Sequence, residues 1–175
     1  MSEIRVLVVD EYDLVRVGLA SLLATLEDLD VVGQAASGAL AVRLAGEVHP
    51  DVVLLGLSLQ DAGASAWTRQ LLAQHPGVRV IVLAERRAEN QIADALRAGA
   101  CGYLHKEHMP LEEIVAAIRA AARGRTWQPP RAAQTPLEQL TPRELEVLEL
   151  VERGLRRAPR TGRLRRRSRA TTPPA

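Results

Sequence analysis

Five short apolar runs alternate with five stretches of helical periodicity in the first 124 residues, and this alternation restricts the fold more than any other feature of the chain. Ile4 to Val9 reads as a strand ending in Asp10 and Glu11. Asp13 then suits an N-cap, and Val15, Leu19, Leu22 and Leu26 fall on one helical face. A weaker strand from Val31 to Ala35 precedes a helix from Ala39 to Val48, closed by Pro50. Val52 to Leu55 is a continuous apolar run of the kind buried on both faces of a parallel sheet. A helix around Trp67 to Ala73 stops at Pro76-Gly77, and Val78 to Leu83 forms a fourth buried strand. Glu89 to Ala98 is helical, Ala100 to Leu104 is a short fifth strand, and Pro110 opens a last helix that Gly124 ends. Such a pattern predicts an α/β fold, a doubly wound five-stranded parallel sheet.

The core of that sheet must be aliphatic. The hydrophobic fraction is 47%, but the chain has no Phe, two Trp and two Tyr. No apolar run approaches the roughly 18 residues of a membrane span, the N-terminus shows no signal-peptide pattern, and the single Cys101 precludes an internal disulfide framework. A cytoplasmic protein with no membrane association is expected.

Residues 125–139 hold Pro129, Pro130 and Pro136 without periodicity and read as a linker. Thr141-Pro142-Arg143-Glu144 then forms a capping box with Pro at the first helical position, and Leu145, Leu148 and Val151 repeat at helical spacing up to Gly154. Beyond it, residues 155–175 offer little to bury, and disorder is expected. Charge is split at the same place. Residues 1–152 carry 14 bases against 21 acids, a net of −7, whereas the tail carries nine Arg and no acid. Arg153, Arg156, Arg157, Arg160, Arg163, Arg165, Arg166, Arg167 and Arg169 therefore form a cationic tail suited to phosphate contacts that give affinity without sequence information.

Chemistry in an open α/β sheet sits just past the carboxyl ends of the strands. The third strand delivers Gly56 there, which has no side chain. No Ser-His-Asp set or phosphate-cradling glycine pattern is present, and no enzymatic activity is expected. His105 and His108, spaced i, i+3, lack a third ligand nearby, so no metal site is read from them.

The segments Val8-Val9-Asp10-Glu11, Asp51 to Leu57, Val80 to Leu83 and Gly102-Tyr103-Leu104-His105-Lys106 together resemble the CheY-like receiver domain of two-component response regulators. Leu140 to Gly154 resembles the opening of a LuxR-type helix-turn-helix, so the whole is similar to the NarL/FixJ subfamily of transcriptional regulators. The resemblance implies a receiver over residues 1–124, the 125–139 linker, a first helix of the all-α DNA-binding domain over 140–154, and dimerisation through the receiver. It also implies an acceptor Asp on the third strand, an acidic pair for Mg²⁺, a phosphate-contacting Lys, and a hydroxyl and an aromatic that relay the switch. Asp10 and Glu11 match the acidic pair, Lys106 the Lys, and Tyr103 the aromatic. Gly56 stands at the acceptor position, Ala84 at the hydroxyl position, and Gln60 where a Pro belongs.

Phosphoryl transfer needs an in-line nucleophile, which Gly lacks. Mg²⁺ needs several hard oxygens, so its binding is expected to be weak or absent, and Lys106 is expected to pair with Asp10 or Glu11 instead. Asp61 lies past the loop and is a poor substitute acceptor. The vacated pocket leaves room for a small-molecule ligand that the sequence does not name. Only 39 residues run from Leu137 to Ala175, too few for a full helix-turn-helix domain, and the abrupt change at Gly154 fits a shifted reading frame. A phosphorylation-independent regulator with an incomplete DNA reader is therefore expected. The alternative is a receiver acting only through dimerisation.

Overall fold

The computed structural model describes residues 3–56, 63–85, 88–107 and 109–129. The expected Leu140–Gly154 helix and the Arg-rich tail lie outside them, as do Gln60, Asp61 and His108. Strands β1 (Ile4–Val9), β2 (Leu29–Ala35), β3 (Val52–Gly56), β4 (Arg79–Ala84) and β5 (Gly102–His105) alternate with helices α1 (Asp13–Leu23), α2 (Gly38–Val48), α3 (Gly63–Gln74), α4 (Glu89–Arg97) and α5 (Leu111–Ala122). The sheet is wholly parallel in the order β2-β1-β3-β4-β5. This is the doubly wound architecture, and its chain order reverses between β1 and β3.

Side-chain alternation along the strands divides the core into two layers. Leu7, Val9, Val53, Leu55, Val80 and Val82 face one layer together with residues of α2, α3 and α4. Val6, Val8, Val52, Leu54, Ile81 and Leu83 face the other with residues of α1 and α5. Every residue of β3 is buried, which is why its sequence is apolar without alternation. Among the described residues no helix is long and apolar enough to cross a membrane.

The structure corrects several local expectations. Asp13 is the first residue of α1 rather than its cap; Tyr12 occupies the cap position without a side-chain hydrogen bond, and Asp13 pairs instead with Arg16. The buried row of α1 is Leu19, Ala20 and Leu23, while Leu22 faces outward. The helix stops at Leu23, so Leu26 does not extend its stripe. α2 begins one residue early because the Ser37 side chain accepts from the Leu40 amide at 3.2 Å, and β2 reaches back to Leu29. Cys101 precedes β5 and is only half-buried, its thiol donating to the Val80 carbonyl at 3.2 Å. That burial pushes the thiol pKa up.

Gly124 has φ of 73°, the left-handed conformation that glycine adopts without steric cost, and it turns the chain back after α5. The first residues of the expected linker are consequently held on the sheet edge. The Trp127 amide donates to the Cys101 carbonyl at 2.8 Å, and Trp127 forms a parallel bridge with Gly102.

Candidate functional site

Register places three sequence-selected residues together. Val9 pairs with Leu55, so Asp10 and Gly56 follow side by side at the carboxyl edge of β1 and β3. Ala84 pairs with His105, so Lys106 follows at the same edge of β5, its amide donating to the Ala84 carbonyl at 2.8 Å. Alternation sets Asp10 in phase with Val6 and Val8, Gly56 with Val52 and Leu54, and Lys106 with Leu104, all toward the α1–α5 layer.

Asp10 is fully buried. Its amide donates to the Ala35 carbonyl at 3.1 Å, its carbonyl accepts from Arg16 Nη1 at 2.8 Å, and its Oδ1 accepts from the Tyr12 amide at 3.0 Å. Its Oδ2 lies 2.6 Å from Lys106 Nζ, an ion pair rather than a well-angled hydrogen bond. Of the two partners the sequence left open for Lys106, this is the one the fold brings into contact. The Lys106 ammonium also lies 5.2 Å from the Tyr12 ring centre, within cation–π range. Glu11 is half-buried beside it in the chain.

Above Gly56 there is little free space. A Cβ at that position would stand 2.5 Å from Asp10 Oδ2, 3.0 Å from Asp10 Cγ and 3.4 Å from Lys106 Nζ. Ala84 is fully buried and faces the other layer, where half-buried Tyr103 packs against the same cluster. The Tyr103 ring meets the His105 ring edge-on at 5.4 Å. Ala84 presents only a methyl group at the carboxyl end of β4.

The divalent cation that the resemblance implies does not fit these residues. It needs near-octahedral oxygen ligands, yet the position to which the resemblance assigns a third carboxylate is Gly56, and the buried Asp10 Oδ2 faces an ammonium. Among the described residues no group of three His, Cys, Asp or Glu could hold a metal ion. Sequence reading missed Tyr12 and Arg16, which pin Asp10 in place. Their only signal was adjacency to the acidic pair, since neither contact follows a periodicity.

Comparison with known proteins identifies the domain that carries these residues. The response regulator receiver domain family model matches residues 6–119. The chain is 36% identical over 161 residues to the response regulator GacA of Pseudomonas aeruginosa, covering 85% of this chain and 75% of GacA. It is 35% identical to the transcriptional regulatory protein LiaR of Bacillus subtilis, covering 86% of this chain and 77% of LiaR. The solved receiver domain of the response regulator NarL from Mycobacterium tuberculosis superposes with a TM-score of 0.67 at 30% identity, over 71% of this chain and all of that one. The chain belongs to the response regulators, with a receiver domain of the NarL/LuxR type.

Proposed function

We propose that this chain is a transcriptional response regulator whose receiver acts without phosphorylation and whose DNA contacts are non-specific. The observation that carries the first part is Gly56 at the edge of β3, beside Asp10 and within reach of Lys106, with no carboxylate there to attack a phosphoryl donor. Ala84 supports the same reading, because a methyl group cannot follow a phosphate oxygen and draw Tyr103 after it. The similarity to a transcriptional regulatory protein supports the regulatory role. The Arg residues from Arg153 to Arg169 support phosphate contacts, while specific readout needs side chains held in the major groove, usually by a recognition helix. On this reading Asp10, Glu11 and Lys106 serve structure rather than catalysis, and the domain is neither an enzyme nor a Mg²⁺-dependent switch.

Incubation with acetyl phosphate and Mg²⁺, followed by intact-mass spectrometry, is expected to show no added phosphoryl group. A hydroxylamine-sensitive addition of one phosphoryl would overturn the reading.

A second reading, a receiver acting only by pairing with another copy, is favoured by one observation. Among the described residues the exposed large apolar side chains are Tyr12, Leu14, Val17 and Leu22, all on α1 or at its start. Sedimentation of the chain and of a Leu14→Glu variant distinguishes the two: concentration-dependent dimers lost in the variant, without any DNA affinity, favour the second.

A further inference from the structure

The ion pair between Asp10 and Lys106 crosses an unusual span. β1 and β5 are separated in the sheet by β3 and β4, three strand spacings of about 4.8 Å, or roughly 14 Å between their backbones. Asp10 and Lys106 nonetheless meet at 2.6 Å. Their path passes directly over the end of β3, where Gly56 leaves the space that a side chain would fill.

We propose that this pair is a strap that takes the place of the divalent cation, and that Gly56 is the residue that permits it. Any Cβ at position 56 meets the Asp10 carboxylate at 2.5 Å and the ammonium at 3.4 Å. The carboxylate is fully buried and cannot swing aside freely, because its Oδ1 holds the Tyr12 amide and its Oδ2 holds Lys106. Moving it would leave a buried charge without its counter-charge, which is strongly unfavourable. The bare glycine, the buried Asp10 and the long reach of Lys106 are thus one unit. The strap ties the first strand to the last at the edge where a cation would otherwise gather the acids, and it holds the domain in one state that does not respond to metal. This goes beyond the absence of phosphorylation, since a receiver without an acceptor could still bind a cation through its acidic pair.

The test is a stability measurement on the full chain. Alanine in a strand is ordinarily at least as stable as glycine. Gly56→Ala is expected to lower the melting temperature of the otherwise unchanged chain, because its methyl group displaces Asp10. In an Asp10→Ala background the same substitution is expected to be neutral or stabilising. Titration with MgCl₂ against NaCl at equal ionic strength, which requires no variant, is expected to show no Mg²⁺-specific rise in melting temperature. Equal effects of Gly56→Ala in the two backgrounds, or a Mg²⁺-specific stabilisation of the unchanged chain, would overturn the proposal. Neither readout involves phosphate, so either result leaves the acetyl phosphate experiment to judge the absence of phosphorylation separately.

Discussion

A carboxylate with no exposed surface needs a counter-charge, and Asp10 finds it in Lys106, itself nearly buried. Removing one member of such a pair leaves the other charged and desolvated. Lys106→Met is therefore expected to cost roughly 3 kcal/mol, at the low end for breaking a buried pair. Asp10→Asn together with Lys106→Met should recover much of that loss. Urea denaturation of the two single variants and the double variant checks both statements. A second pair behaves differently because water reaches it. Arg119 on α5 donates from two nitrogens to Asp28, at 2.7 and 2.9 Å, in the turn before β2. The guanidinium's hydrogen bonds, and secondarily its charge, hold the Asp28 carboxyl below its ordinary range. Its folded pKa lies under its unfolded value, so its contribution is present at neutral pH and disappears as pH falls through the folded value. Asp28→Asn should lower stability at neutral and alkaline pH and leave it little changed in strong acid, so that the acid limb of the profile flattens, as followed by denaturation at a series of pH values.

Two elements in this domain are fixed at one end by a short polar or glycine device. Ser37 caps α2 through the Leu40 amide, and Ser37→Ala should cost about 1 kcal/mol, a typical value for losing such a cap. The edge of β5 is closed by Trp127, whose carbonyl lies where a Cβ of residue 102 would come within 2.3 Å. Backbone cannot yield there as a flexible side chain can. Gly102→Ala is expected to expel Trp127 from the sheet, seen as a red shift of tryptophan emission in a Trp67→Phe background. It should also give faster tryptic cleavage at Arg123 and Arg125, because the Arg125 amide now donates a hydrogen bond to the Ala120 carbonyl. Unchanged emission and cleavage would show that the clip does not depend on the glycine.

Across the whole molecule, charge rather than shape governs the proposed meeting with DNA. Residues 1–152 have a net charge of −7 and repel the duplex, while the tail carries nine Arg. Binding under the proposed reading should be on the order of micromolar or weaker near physiological salt, as is usual for non-specific contacts. Log affinity should fall linearly with log salt, with a slope of roughly −0.9 for each phosphate contact and fewer contacts than the tail has Arg. Deletion after Gly154 should abolish it. Fluorescence anisotropy with random and palindromic duplexes checks this, and a preferred site poorly competed by random DNA would show a working reader.

The alternation of strands and helices, the aliphatic core, and the small residues Gly56 and Ala84 at the ends of β3 and β4 were all legible in the sequence. These are local properties: periodicity, β-branching, caps and breakers are written within a few residues of where they act. Tertiary structure alone decided the rest. Asp10 and Lys106 are 96 positions apart, and their contact depends on the order β1-β3-β4-β5 and on a register that aligns four strand ends. The outward turn of Leu22 follows from where α1 stops and which of its faces meets the sheet, although its spacing alone placed it on the inner stripe. Trp127 reads as linker because prolines follow it at residues 129 and 130, yet it lies on β5, since a glycine at residue 102 leaves a place for its carbonyl. Periodicity fixes which residues can face a common layer; only packing fixes which of them meet.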